Sequence, residues 1–351
     1  MRWSFPIGRL LGSELRVHAT FLILLAYVGG SAYSFGGLDA ALVNVAYVLA
    51  LFACVIAHEY GHALTARRFG IPTPDITLLP IGGVARLMRI PEKPGQEVLV
   101  ALAGPAVNVV IFFVLWITAG LSFEAAPLTG GMTFADLPRE LATLNLILAA
   151  FNMIPAFPMD GGRVLRATLA MVTDRVKATR VAAGVGQVLA VGFGIYGFYI
   201  GSFIYPLIAV FIFMAARAEA RDVRLRAMAK TETAGNVMAT GFKALGTSLT
   251  LEQAREAFDR ERVAEFPVVN SASRRITGLL ARKQLDDQYH TLGAQAPITR
   301  VMATNVPVVQ DATPLAHVLR LLNSAPAVAV TDATGEVAGY ISHRTVMERL
   351  G

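Results

Sequence analysis

The sequence predicts a membrane α-helical domain of about six transmembrane helices, with a membrane-associated β-hairpin, followed by a cytoplasmic α+β tandem module. Three observations carry this. Residues 19–35, 41–57, 98–119, 141–159, 181–200 and 202–216 contain no Asp, Glu, Lys or Arg. Each run is close to the ~20 residues that cross a hydrocarbon core, allowing for tilt and polar ends. From about residue 218 onward charged and apolar residues mix, and that tail contains a repeat. The expected boundaries are a membrane domain over 1–220, a linker over 221–231, and two repeat units over about 232–290 and 295–351.

Composition agrees with a membrane protein. The 351 residues are 54% hydrophobic and the mean hydropathy is +0.53, too apolar for an ordinary soluble chain of this length. With the N-terminus inside, the inner segments carry Arg2, Arg9 and Arg16, then Arg67, Arg68, Arg86, Arg89 and Lys93, then Arg163, Arg166, Arg175, Lys177 and Arg180. The outer loops hold only Arg139 among Glu124, Asp136 and Glu140. The positive-inside bias therefore places both termini and the tail in the cytoplasm, with the chain in the plasma membrane. A net charge of +6 is accounted for by basic loops facing anionic lipid. There is no basic stripe interleaved with aromatics, so nucleic acid is not an expected partner. A single cysteine, Cys54, excludes a disulfide framework. No small-residue cleavage site follows the first apolar run, which reads as a retained helix.

Between the second and third runs, "ITLLPIGGVARLMRI" (76–90) is apolar but interrupted by Pro80 and Gly82-Gly83. Two β-prone runs around a Gly-Gly turn suggest a hairpin, with a plain surface loop as the alternative. Apolar, irregular backbone is tolerated at membrane depth only against protein or water. The fourth run ends in "NMIPAFPMDGGR", where Pro155 and Pro158 cannot continue a regular helix. Gly197 and Gly201 have small-xxx-small spacing and suit packing of the last two helices. In the tail "VMAT" occurs at 237–240 and again at 301–304. A capping box at Thr250–Gln253 starts one helix, and Thr313 followed by Pro314 starts its counterpart. Each copy then has a β-rich run and a glycine, Gly278 or Gly339, that opens another strand. The period marks a tandem αβ repeat.

The chemistry centres on "HEYGH", His58 to His62, at the end of the second apolar run. On a helix His58 and His62 lie on one face with Glu59 beside them. Two imidazoles can bind zinc and the carboxylate can take a proton from water. In a soluble helix such a pattern is often only a polar face. Ionisable groups next to a charge-free membrane segment are expensive and usually mark function. A third ligand is needed, and Asp160, at the inner end of the broken fourth run, lies at similar depth. His18, at the start of the first run, and His290, His317 and His343, in the tail, are poorly placed. Cys54, one turn before His58, reads as a packing residue.

Three motifs now coincide: His58-Glu59-Tyr60-Gly61-His62, Ala103-Gly104-Pro105-Ala106-Val107-Asn108, and Asn152 through Asp160-Gly161. Together they resemble the site-2 protease family of intramembrane zinc metalloproteases, in the branch that carries paired cystathionine-β-synthase (CBS) domains. The resemblance implies one zinc ion held by His58, His62 and Asp160, with Glu59 as general base. Asn152 matches a polar residue that would stabilise the oxyanion, and Asn108 is expected to contact substrate. A substrate helix must unwind before cleavage, and the hairpin would capture it as an added strand, with Gly82 and Gly83 letting the backbones approach. Implied partners are the lipid bilayer, a membrane-tethered substrate such as an anti-sigma or pro-sigma factor, and a second copy of the chain through the CBS domains.

CBS pairs often bind adenine nucleotides through a Ser or Thr and an Asp after the glycine-led strand. Here the corresponding positions are Ala281 and Gln284 in "GLLARKQ", and Ser342 and Thr345 in "GYISHRT". The missing carboxylate makes nucleotide binding doubtful. A transporter gated by the tail would also use broken helices. It leaves a Glu between two His unexplained, and the membrane part shows no repeated halves. A catalytically dead scaffold would more naturally have lost Glu59 or a ligand.

Overall fold

The computed structural model describes residues 3–80, 82–85, 88, 91, 93–120, 132–270 and 275–350. The charged positions Arg2, Arg86, Arg89 and Glu124 lie outside the described residues, as does part of the 76–90 segment. The chain divides into two units, Met1–Ala220 and Arg221–Gly351.

The first unit begins with two strands that the apolar pattern does not announce, β1 (Ser4–Leu10) and β2 (Ser13–His18). Helix α1 (Ala19–Arg68) follows, its N-terminus capped by His18, and runs for 50 residues. It is not straight. Gly36 and Gly37 have non-helical backbone, with Gly37 at φ 69°. The Phe21 and Phe52 rings meet at 4.5 Å, whereas a straight helix would set them roughly 46 Å apart. The first two expected spans are thus antiparallel limbs of one folded helix, with Val17, Phe21, Phe52 and Leu78 forming a core.

Strands β3 (Asp75–Leu79) and β4 (Gly82–Ala85) form the expected hairpin, with Leu78 opposite Gly83 and Leu79 opposite Gly82. The glycine pair does not make the turn, however. Both residues belong to β4, where they pair with Leu79 and Leu78 of β3. The sheet order is β1-β2-β3-β4, with β2 and β3 parallel across α1. Helices α2 (Pro94–Thr118), α3 (Leu137–Asn152), α4 (Asp160–Leu169), α5 (Arg175–Tyr199) and α6 (Ile204–Thr231) complete the unit. Among the described residues, α1, α2 and α5 are long and apolar enough to cross a membrane. Helix α3 stops at Asn152 because Pro155 and Pro158 end the run. The segment 221–231, expected as a linker, is the helical end of α6.

A buried ionic cluster joins four of these helices. Arg166 of α4 donates to Glu97 of α2 at 2.8 Å and to Glu219 of α6 at 2.6 Å, and Arg175 of α5 donates to Glu97 at 2.7 Å. The Arg166 guanidinium also lies over the Phe157 ring.

The second unit has two equivalent halves. The first contains β5 (Leu245–Gly246), α8 (Leu251–Glu261), β6 (Glu265–Val269), β7 (Ile276–Ala281) and α9 (Arg282–Leu292), preceded by the short α7 (Ala234–Val237). The second contains β8 (Val308–Gln310), α10 (Leu315–Leu322), β9 (Ala327–Thr331), β10 (Val337–Ser342) and α11 (His343–Leu350). In each sheet a parallel pair is followed by an antiparallel one. The two tetrapeptides dock crosswise. Ala239 N donates to Tyr340 O at 2.9 Å, and Leu279 N donates to Ala303 O at 2.9 Å. A Cβ on Gly339 would lie 2.7 Å from Met238 Sδ, and one on Gly278 would lie 2.8 Å from Met302 Sδ. Ala234 and Val237 accordingly sit in the core of the second half, and Ala296 and Ile298 in that of the first. The physical halves therefore exchange the segments that the repeat boundaries assign to them.

At the nucleotide-associated positions the side chains close helix ends. Gln284 Oε1 accepts from Ala281 N at 3.1 Å, and Thr345 Oγ1 accepts from Ser342 N at 2.8 Å. The Ser342 hydroxyl donates to the Glu265 carboxylate. Burial raises the Glu265 carboxyl above its ordinary value of 4.5, opposed by the Ser342 bond and the Arg344 charge. A raised carboxyl contributes fully below the unfolded pKa and loses that contribution as pH rises through the folded one. Glu265→Gln keeps an acceptor for Ser342 without the charge. Calorimetric melting of a 221–351 fragment should show the variant more stable than wild type at pH 8 and equal to it near pH 4.

Candidate metal centre

The second limb of α1 brings His58, Glu59 and His62 onto the interior, and the break after α3 lets α4 begin with Asp160 against them. His58 Nε2 and His62 Nε2 lie 3.1 Å apart. Asp160 Oδ2 is 3.2 Å from the first and 3.1 Å from the second. All three residues are buried. Bonds of ~2.0–2.1 Å at tetrahedral angles place ligand atoms roughly 3.3–3.4 Å apart, so the triangle is the right size for zinc.

The proton positions point the same way. His62 Nδ1 faces the Val100 carbonyl at 2.7 Å, and a carbonyl can only accept. His58 Nδ1 faces Asn108 Oδ1. As neutral imidazoles, both thus carry hydrogen on Nδ1 and turn Nε2 lone pairs toward a carboxylate oxygen. Three acceptors converging without a donor repel one another unless a cation lies between them. The residues fit a metal. On its other side Asp160 faces Arg163, with Oδ1 3.8 Å from the guanidinium.

Glycine makes the approach of helices possible. A Cβ on Gly104 would lie 2.3 Å from His62 Nε2 and 2.7 Å from His58 Nε2, so α2 packs its backbone directly on the two imidazoles. A Cβ on Gly83 would lie 2.8 Å from Glu59 Cγ, so β4 lies equally close to the acid. Gly82, at φ 134°, adopts backbone that other residues avoid.

Glu59, Gly82, Gly83 and Asn152 line one cavity of about 220 Å³ beside His58, with Leu148 and Phe151 as apolar wall. Of the nominated residues, the structure thus brings His58, Glu59, Gly82, Gly83, Asn108 and Asn152 to one cavity, and His58 together with His62 and Asp160. Asn108, expected to contact substrate, also borders this cavity; its side chain is buried and turns its carboxamide to His58 and Asn145. Cys54 and His18 stand outside the cluster. Two features escaped the sequence reading. Asn145 looks like an ordinary polar residue in an apolar run. The β1–β2 turn is pinned to α1 by Tyr60, donating to Leu10 O at 2.7 Å, and by Arg67, donating to Ser13 Oγ at 2.5 Å.

Two imidazoles, a carboxylate and an adjacent glutamate, set among apolar helices, define a metal-dependent hydrolase of the membrane. Comparison with known proteins makes the class specific. The model of peptidase family M50 matches residues 46–136 and 132–196, and the CBS domain model matches residues 298–351. A zinc metalloprotease of Methanocaldococcus jannaschii is 28% identical over 350 residues, covering 100% of this chain and 97% of its own. Rip3 of Mycobacterium tuberculosis is 32% identical over 307 residues, covering 82% of this chain and 76% of its own. A solved structure, the site-2 protease from Methanocaldococcus jannaschii, is 34% identical, with a TM-score of 0.47, and covers 62% of this chain and 95% of its own. The chain belongs to peptidase family M50, the site-2 proteases, and is a metalloprotease carrying a CBS domain.

Gly104→Ala tests the packing of α2 on the ligands. The added methyl overlaps both Nε2 atoms, so zinc content measured by atomic absorption should fall below half of wild type. Gly184→Ala, at a position with no atom near the new methyl, should leave zinc content unchanged.

Proposed function

We propose that this protein is an intramembrane zinc metalloprotease that cleaves transmembrane segments of membrane-tethered proteins, that is, regulated intramembrane proteolysis. The observation that carries this reading is the convergence of His58, His62 and Asp160 on one point, with His58 and Glu59 lining a cavity that Gly82 and Gly83 of strand β4 also line. One zinc ion per chain would be held by those three ligands and would supply Lewis acidity, polarising a carbonyl and acidifying water. Glu59 accepts the proton of the attacking water and returns it to the departing amide nitrogen. The Asn152 carboxamide, at the end of α3, donates to the carbonyl oxygen as negative charge develops there.

Strand β4 ends the sheet order, and its outer edge can receive an extended chain by strand addition. Gly82 and Gly83 keep side chains out of that approach. An unwound transmembrane segment would then lie across the cavity mouth with its peptide bonds exposed. Loop charge supports a plasma-membrane protein with both termini and the CBS domains in the cytoplasm. By family resemblance the substrates are membrane-tethered regulators such as anti-sigma or pro-sigma factors. For the tail, the helix caps formed by Gln284 and Thr345 favour a structural, dimerising role over nucleotide sensing.

Glu59→Gln preserves shape while removing the base. Zinc content should be unchanged, and cleavage of a model transmembrane peptide should fall by ~10²–10⁴-fold. Near-normal turnover in this variant would remove Glu59 from the mechanism.

Strand addition has its own signature. Only alternate residues of an added strand donate N–H groups to the sheet edge. N-methylating one substrate residue at a time should raise KM at every second position near the cleavage point. A flat profile would eliminate docking on β4.

A further inference from the structure

We infer that Asn108 and Asn145 form a carboxamide relay that fixes which nitrogen of His58 faces the metal. The inference rests on the zinc reading of the site and adds two positioning residues to it.

The relay has a fixed starting point. Asn145 Nδ2 donates to the Leu141 carbonyl at 2.7 Å, one helical turn earlier on α3. A carbonyl only accepts, so this end of the Asn145 side chain must be the NH₂ group. Its Oδ1 therefore faces outward, and accepts from Asn108 Nδ2 at 2.7 Å. That bond in turn sets the Asn108 carboxamide, whose Oδ1 is left facing His58 Nδ1. An oxygen there requires hydrogen on Nδ1, and the lone pair then belongs to Nε2, 3.2 Å from Asp160 Oδ2. One backbone carbonyl thus determines, through two side chains, the tautomer of a ligand on another helix.

Both asparagines are fully buried. Each carboxamide is hydrogen-bonded within the protein interior, so the sequence of bonds is a constraint on direction. His62 takes its direction from the Val100 carbonyl itself and needs no relay. His58 differs because its nearest partner on α2 is a side chain that can rotate. Without Asn145, Asn108 can present NH₂ to His58, which moves the imidazole hydrogen to Nε2 and blocks the ligand position. Asn145 also lies seven residues before Asn152, on the same face of α3, so the relay ties that helix to the metal.

The test is zinc affinity of the full-length protein in detergent, measured by chelator competition with Zn²⁺ alone. Wild-type binding that disappears in Asp160→Ala establishes the site independently of the relay. Asn145→Leu should then weaken zinc binding about 10–100-fold, the range for loss of a group that orients a ligand histidine. Asn108→Asp in the Asn145→Leu background should restore most of that loss, because a carboxylate can only accept from His58 whichever way it is turned. Wild-type affinity in Asn145→Leu overturns the relay. So does a double variant as weak as Asn145→Leu, which would assign the loss to packing.

Discussion

Three electron-rich atoms held together inside apolar helices are the constraint on which the membrane unit depends. Two imidazole nitrogens and a carboxylate oxygen, all within 3.2 Å of one another, have no reason to converge on their own. Each would be better solvated by water, and a buried, unpartnered polar group costs roughly 1–3 kcal/mol. A cation reverses the sign of every one of these contacts. The remaining features of the site can be read as what keeps the three atoms aimed at that position, from the Val100 carbonyl on His62 to the asparagine relay on His58.

Close approach follows from that aim. His58 and His62 on α1 can meet Asp160 on α4 because α2 packs against the imidazoles without a side chain in the way, and Gly104 supplies the gap. The same reasoning holds at the loop before α4. A Cβ on Gly161 would lie 2.3 Å from the Ile154 carbonyl, and one on Gly162 would lie 2.5 Å from the Ala156 carbonyl carbon. The break after Asn152 therefore folds tightly under α4, setting Asp160 at the depth of the histidines. The two prolines end one helix, and the two glycines let the next begin immediately beside it.

Much of this was legible in the sequence because it depends on local chemistry. The spacing of His58 and His62, the charge-free runs and the Pro-Gly break each follow from neighbours in the chain. What the sequence hid was relational. Arg166 and Arg175 count as inner-loop charges in the orientation argument, yet both belong to the buried cluster around Glu97. Asn145 acquires meaning only from Asn108, 37 residues away. Gly82 and Gly83 look like a turn from composition alone, but strand register moves them into β4. The N-terminal strands escaped notice because β1 is largely exposed and lacks the alternation that marks a half-buried strand.

The ionic cluster explains how such a site can be rigid without a large apolar core of its own. Arg166 is almost wholly buried and stands six residues after Asp160 on α4. Removing its charge would leave Glu97, itself 2% exposed, with Arg175 as its remaining partner in the cluster. Such half-broken pairs are destabilising by roughly 3–5 kcal/mol, far more than a surface bridge contributes. The favourable geometry is therefore the one in which α4 keeps its rotation and height relative to α2, α5 and α6. A helix so fixed at its middle has little freedom at its first residue, and that residue, Asp160, carries the carboxylate that meets His58 and His62. Burial of charge, which gives an uncertain return in stability, here gives a defined position to Asp160.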